Sequence, residues 1–150
     1  TKLYAMAGLR LGYLLCGSEA LAEQIGRTGQ AWSVSVPATA CGLAALSERD
    51  YPSRTRDAIR EERAFLRQTL RQFGSRVYGS QANYLFFYSS REQLPELLLK
   101  EGILIRNCSN YPGLGAGWCR IAVRTSEENR KFAAALGKII GEESSWQNLS

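Results

Sequence analysis

The chain has 150 residues, of which 45% are hydrophobic and 22% charged, so it is long enough to bury a core. The net charge of +5 is small for a nucleic-acid-binding protein, and basic and acidic residues alternate over 54–71 instead of forming a basic face. The four cysteines form no CxxC pair and histidine is absent, which argues against a zinc site. No apolar run is long enough to span a membrane, and no segment resembles a signal peptide. We therefore expect a cytoplasmic protein with free thiols and without a nucleic-acid or membrane partner.

The first fifty residues predict one strand and two helices. The apolar run over 8–16, with glycine at its start and just after it, is typical of a buried strand. Ser18 is placed to cap a helix over 19–28, because its side chain can accept from a free amide of the first turn. After a loop over 32–37, the alanine-rich segment 38–46 predicts a buried helix.

A long amphipathic helix is predicted over 54–73, after a break at 51–53. Its apolar residues recur at helical spacing, and Gly74 stands where a helix commonly ends. This helix is the best candidate for a connector between two structural regions.

The remaining residues predict a compact α/β unit. A capping box, Thr125-Ser-Glu-Glu128, begins a last helix that buries Phe132, Leu136, Ile139 and Ile140. The polar residues 141–150 are expected to fray. The other predicted elements are a strand within 77–88, a helix over 91–100 that Gly102 closes, and a long hairpin whose strands 103–106 and 119–124 flank the loop 107–117.

Residues 1–13 read Thr-Lys-Leu-Tyr-Ala-Met-Ala-Gly-Leu-Arg-Leu-Gly-Tyr. This string resembles the lysine segment of histidinol-phosphate aminotransferases and their relatives in the aminotransferase fold-type I superfamily, whose cofactor is pyridoxal 5'-phosphate. The resemblance implies that Lys2 bonds covalently to the cofactor, that Arg10 holds the cofactor phosphate and that Thr1 contacts it. The residue types suit this chemistry, since an amine is the nucleophile for an aldehyde and a guanidinium is a permanently charged fork for phosphate. Read alone, Lys2 is a solvated terminal lysine and Arg10 a strand residue paired with a carboxylate.

A second pattern joins two apolar strands, Gly-Ile-Leu-Ile-Arg over 102–106 and Arg-Ile-Ala-Val-Arg-Thr over 120–125. In the same superfamily the arginine of an Arg-Ile-x-Val strand binds the substrate α-carboxylate, which matches Arg120. In relatives that act on phosphorylated amino acids the earlier arginine helps to bind the substrate phosphate, which matches Arg106. The alternative for both is a surface ion pair at the edge of a strand.

Three further positions are less distinctive. Asn83 matches a superfamily position near the substrate, although an asparagine before a strand is as often a turn residue. Arg124 is interpreted as a structural ion-pair residue. Tyr4 and Tyr13 are expected to pack rather than to line a site.

The segments 103–114 and 120–129 resemble threonine-phosphate decarboxylases of cobalamin biosynthesis more than histidinol-phosphate aminotransferases. The implied reaction converts L-threonine O-3-phosphate to (R)-1-amino-2-propanol O-2-phosphate and carbon dioxide. Histidinol-phosphate or aromatic aminotransferase activity is the first alternative. A non-catalytic α/β interaction module is the second.

The resemblance covers 1–140 and implies the C-terminal part of an α/β (α+β) fold-type I enzyme. Residues 1–53 are then an incomplete remnant of the large cofactor-binding domain, and 54–74 are the connector helix. Residues 75–140 form the small domain, a mostly antiparallel sheet packed by helices, and 141–150 form a polar tail. A complete enzyme of this kind is more than twice as long and works as a homodimer, so we expect the chain alone to be inactive.

Overall fold

The structure, a computed structural model, describes the backbone of residues 2–147 and the side chains of residues 2–141. The chain divides into two compact units between Arg56 and Asp57. Unit 1 precedes this boundary, unit 2 follows it, and each is described by itself.

Unit 1 is helical. A 3₁₀ turn over Ala7–Leu9 is followed by helix α1, Glu19–Thr28, and helix α2, Val36–Ser47. The predicted cap of α1 is confirmed, because the Ser18 hydroxyl accepts from the amide of Leu21 at 3.3 Å. Ser35 caps α2 in the same way, with Pro37 in the first turn, where a missing N–H leaves no hydrogen bond unmade.

Two predictions for unit 1 are wrong. Residues 8–16 form no strand, and Tyr13 and Leu15 are 90% and 86% exposed. A strand needs a neighbour to pair its backbone groups, and the described part of unit 1 contains none. Helix α2 was predicted to be buried, but most of it is exposed. Among the described residues of unit 1, Ala38 alone is buried.

Helix α3, Tyr51–Gln72, contains the boundary between the units. It begins three residues before the predicted start at 54, since Pro52 in a first turn is compatible with a helix. Its predicted end is confirmed. Gly74 has a φ of +77°, the Ser75 amide donates to the Leu70 carbonyl at 2.9 Å, and the Gly74 amide donates to Arg71 at 3.1 Å. This is the Schellman pattern, which glycine favours because it has no Cβ.

Unit 2 contains a four-stranded sheet in which every pairing is antiparallel, as predicted for the small domain. The spatial order is β1-β2-β4-β3. The segment 77–88 yields two strands instead of one, and the strand predicted over 103–106 joins the sheet only at its last residue. The bounds are β1 Arg76–Tyr78, β2 Tyr84–Tyr88, β3 Arg106–Asn107 and β4 Trp118–Ala122.

One face of the sheet forms the core against helices α3, α4 (Leu94–Lys100) and α5 (Ser126–Gln147). The capping box that begins α5 is confirmed, since the Thr125 amide donates to Glu128 at 3.2 Å and the Glu128 amide donates to the Thr125 hydroxyl at 3.4 Å. The buried core residues are Leu66 and Leu70 of α3, Leu85, Phe87, Cys119 and Ile121 of the sheet, Leu94 and Leu98 of α4, Ile105, and Phe132, Ala135, Leu136 and Ile139 of α5.

Helix α5 continues to Gln147, through most of the segment predicted as a polar tail, and the fraying of that segment stays a prediction. Residues 148–150 of the predicted tail lie outside the described part of the chain. Among the described residues, no helix combines the length and the apolar character needed to cross a membrane.

Candidate functional site

The opposite face of the sheet brings two of the predicted site residues together. Arg106 of β3 and Arg120 of β4 are Cα partners in the antiparallel register, so their side chains leave the sheet side by side. Both are exposed. Two like charges directly opposite each other destabilise a strand pair unless something compensates them.

Among the described residues, no carboxylate lies within 4.0 Å of either guanidinium. The alternative interpretation, in which both arginines form surface ion pairs, is therefore wrong for the part of the chain that the structure describes. An anionic ligand would compensate these charges, because guanidinium groups bind carboxylate and phosphate through two parallel hydrogen bonds.

Each arginine lies over a tyrosine ring. The Cζ atom of Arg106 is 5.6 Å from the ring centroid of Tyr111, and that of Arg120 is 5.0 Å from the ring centroid of Tyr84. These are distances at which a cation is attracted to an aromatic face. The rings support the arginines without occupying their N–H donors, which remain available to a ligand.

Asn83 lies immediately before β2, and its backbone carbonyl accepts from the amide of Val123 at 2.9 Å. This hydrogen bond extends the β2–β4 pairing by one step beyond Tyr84 and Ala122. The exposed Asn83 is thereby held near the end of the strand that carries Arg120. Its carbonyl has a structural role, and a role of its side chain toward a substrate stays a prediction.

Lys2 and Arg10 belong to unit 1. Lys2 is exposed, and its carbonyl accepts from the amide of Ala5 at 3.1 Å in a tight turn. Arg10 follows the 3₁₀ turn with a φ of +52°, and its Nη1 donates to the Ala7 carbonyl at 3.3 Å. A non-glycine residue in this left-handed region is uncommon and marks a constrained turn. Thr1 lies outside the described residues.

The donor set of this segment fits a phosphorylated aldehyde such as pyridoxal phosphate. Lys2 offers a primary amine and Arg10 a guanidinium, and neither has a carboxylate partner within the described residues. No described carboxylate therefore competes with an aldehyde for the amine or with a phosphate for the guanidinium.

The interpretation of Arg124 as a structural ion-pair residue is confirmed. Its Nη2 and Nε donate to the same oxygen, Oε1 of Glu128, at 2.6 and 3.1 Å. The hydrogen bond from Arg124, together with those from Thr125, lowers the pKa of Glu128 to about 2. This pair fixes the first turn of α5 and leaves Arg124 out of the candidate site.

Tyr84 and Tyr111 were not predicted from the sequence, because the contact of a tyrosine with an arginine depends on strand register and loop folding. The alternation of side chains along β2 and β4 contains the signal for Tyr84, since Tyr84 and Arg120 belong to the same face. The prediction that Tyr4 and Tyr13 pack against other residues is right for the first and wrong for the second. Tyr4 stacks on Tyr51 at 5.6 Å, as packing predicts, whereas Tyr13 is almost fully exposed.

Comparison with known proteins gives one consistent result. The family model "Aminotransferase class I and II" matches residues 1–136. The threonine-phosphate decarboxylase of Salmonella typhimurium is 39% identical over 143 residues, which are 93% of this chain and 39% of the relative. The histidinol-phosphate aminotransferase of Methanosarcina mazei is 36% identical over 139 residues, 91% of this chain and 37% of the relative.

The solved structures agree on the fold. The histidinol-phosphate aminotransferase from Clostridium acetobutylicum superimposes with a TM-score of 0.88 at 29% identity, covering 95% of this chain and 44% of that one. The predicted fold class is thereby confirmed. The chain spans about two fifths of the length of the curated relatives described here.

Proposed function

Because the chain belongs to the aminotransferase class I and II family, we propose that it carries the cofactor lysine and the substrate-binding arginines of a pyridoxal-phosphate enzyme that decarboxylates L-threonine O-3-phosphate. The observation that supports this most is the adjacent pair Arg106 and Arg120, which has no carboxylate partner among the described residues. A substrate with a carboxylate and a phosphate monoester supplies one anion for each guanidinium. The reaction itself follows the resemblance of the segments 103–114 and 120–129.

Pyridoxal phosphate is the cofactor of this family. When bound, it supplies an electron sink for the bond that breaks at the substrate α-carbon. In this chain, Lys2 would bind it covalently through the side-chain amine and Arg10 would hold its phosphate. We propose that Thr1 adds a hydroxyl contact to that phosphate.

The arginines of unit 2 orient the substrate. Arg120 binds the α-carboxylate and Arg106 binds the phosphate, each through charge-assisted hydrogen bonds. Two anchors at opposite ends of a small molecule fix its rotation about the α-carbon and so determine which bond is aligned for cleavage. Asn83, held at the end of β2, is placed in this proposal to contact the same substrate.

Histidinol-phosphate aminotransferase activity is the second candidate. The Methanosarcina relative supports it at nearly the same identity as the decarboxylase. It also needs an arginine for a phosphate monoester, so Arg106 fits both reactions. The two proposals differ in the bond that breaks, which is the bond to the carboxylate in one and the bond to the α-proton in the other.

The test is an assay of the full-length polypeptide that carries this chain, with both substrates. Release of carbon dioxide from L-threonine O-3-phosphate without keto product supports decarboxylation. Formation of a keto product from histidinol phosphate, with a keto acid as amino acceptor, would contradict the decarboxylation proposal and support transamination. Replacing Arg120 or Arg106 by glutamine removes hydrogen bonds to a charged group, each worth about 1.5–3 kcal/mol, so kcat/KM should fall by about 10- to 150-fold. Arg27→Gln, at an exposed helix position with an i,i+4 ion pair, is the matched control and should leave it unchanged.

We further propose that unit 1 is part of a larger cofactor-binding domain and that unit 2 is the small domain. The exposed apolar residues of unit 1 support this, because a surface with Tyr13, Leu15 and Trp32 so exposed is unusual for a complete domain. The chain alone is then inactive, and the complete enzyme is a cytoplasmic homodimer. Decarboxylation or transamination by the purified 150-residue chain would contradict this part of the proposal.

A further inference from the structure

The loop between β3 and β4 is folded by its own short-range hydrogen bonds. The Ser109 amide donates to the Asn107 side chain at 2.9 Å, and the Tyr111 amide donates to the Cys108 carbonyl at 3.1 Å. The Cys108 amide donates to Trp118 of β4 at 2.8 Å, and the Cys108 side chain is buried. The backbone of Tyr111 is therefore held close to the strand that carries Arg106.

The Tyr111 ring supports Arg106 without adding a negative charge beside its guanidinium. Its centroid lies 5.6 Å from Cζ of Arg106, and no described carboxylate lies within ion-pair distance of that guanidinium. A carboxylate in this position would hold the arginine equally well, but it would compete with an incoming phosphate for the same N–H donors. An aromatic ring attracts the cation through its face and supplies no oxygen that would compete for those donors.

We propose that Tyr111 is a positioning residue that holds Arg106 for the substrate phosphate and so contributes to selectivity for phosphorylated over unphosphorylated amino acids. This inference rests on the proposed function, because Arg106 is the phosphate-binding arginine only in that account. Tyr84 supports Arg120 in the same way at 5.0 Å, and Arg120 is assigned to the carboxylate that both kinds of amino acid carry. The two tyrosines therefore have separable effects.

The experiment is a titration of the 150-residue chain, followed by nuclear magnetic resonance of the arginine Nε–Hε groups. The ligands are inorganic phosphate, L-threonine O-3-phosphate and L-threonine. Loss of the Arg106 signal in Arg106→Gln assigns it. A cation–π contact at an exposed site is worth about 0.5–1 kcal/mol, so Tyr111→Leu should raise the phosphate Kd of the chain by about two- to fivefold. Tyr111→Phe keeps a ring and should bind within about twofold of the unsubstituted chain.

Tyr84→Leu is the matched control. It should raise the Kd of L-threonine O-3-phosphate and of L-threonine by the same factor. Tyr111→Leu should raise the Kd of L-threonine O-3-phosphate more than that of L-threonine. Dispersed amide signals from the core residues of α3 and α5 show that each variant is folded.

Two results would overturn the proposals, and they are distinguishable. If phosphate shifts the Arg106 signal and Tyr111→Leu binds phosphate as tightly as the unsubstituted chain, the positioning role of Tyr111 is wrong while Arg106 keeps its proposed role. If phosphate leaves the Arg106 signal unmoved both in the unsubstituted chain and in the full-length polypeptide that carries it, the proposed phosphate site itself is wrong.

Discussion

The buried asparagine of helix α5 provides the sharpest test of how unit 2 is held together. Asn129 is 1% exposed, and its Oδ1 accepts from the Arg124 amide at 3.1 Å. Its Nδ2 donates to the Arg124 carbonyl at 2.9 Å and to Oε2 of Glu62 in α3 at 2.8 Å. One side chain thus joins α5, the segment after β4, and α3.

Replacing Asn129 by alanine removes three hydrogen bonds and leaves their partners without them. A hydrogen bond contributes about 1 kcal/mol on average, and a partner left unsatisfied in the interior costs more, so we expect a loss of about 3 kcal/mol in the free energy of unfolding. For a unit of this size each kcal/mol corresponds to about 4–8 °C, so the melting temperature of unit 2 should fall by about 12–24 °C.

Asn129→Asp should destabilise at least as much at neutral pH. Aspartate keeps the acceptor for the Arg124 amide, but it places an oxygen where Nδ2 donates to a carbonyl and to a carboxylate. The control is Asn110→Ala, at an exposed loop position, which should change the free energy by less than about 0.5 kcal/mol. Urea unfolding followed by circular dichroism measures all three. A change below about 0.5 kcal/mol for Asn129→Ala would refute the reasoning, because that is the scale of an ordinary surface substitution.

Three further predictions concern acid stability, thiol reactivity and the turn before β4. The folded state lowers the pKa of Glu128 from its ordinary value of 4.5 to about 2, chiefly through its hydrogen bond with Arg124. The resulting stabilisation is present above pH 4.5 and is lost as the pH falls toward 2. In Glu128→Gln the free energy of unfolding should therefore change less over this pH range. A thiol reagent at pH 8 should label the exposed Cys41 before the buried Cys119, whose pKa burial raises to about 12, and equal labelling rates by mass spectrometry would contradict this. Gly117→Ala should lower the melting temperature, because Gly117 has a φ of +85° and a Cβ there would collide with the carbonyl oxygen of the residue after β2. An unchanged melting temperature would show that the turn relaxes without strain.

The features that sequence reasoning predicted correctly depend on residues close together in the chain. Ser18, Gly74 and the capping box of 125–128 each end or begin a helix through bonds that span three to five residues, so their signals are contained in short strings. The Arg106–Arg120 pair could be predicted from the two strands as well, because a hairpin brings its strands into register around one loop.

The features that were missed depend on partners far away or absent. The apolar run over 8–16 has a strand pattern, yet a strand forms only where another strand pairs with it. The rings beneath the two arginines were missed because their positions depend on how the loop 107–117 folds and how β2 aligns with β4. Asn129 reads as an ordinary residue of a helix first turn, and its bond to Glu62, 67 positions away, has no local signal.

The most direct test of the account is to add pyridoxal phosphate to the full-length polypeptide that carries this chain, reduce it with borohydride and map the modified lysine by mass spectrometry. The other lysines of this chain, Lys100, Lys131 and Lys138, are internal controls, and Lys2→Arg is the matched variant. The account predicts one reduced pyridoxyl group, located on Lys2 and lost in Lys2→Arg. Modification spread over the four lysines, or modification that persists unchanged in Lys2→Arg, would contradict it.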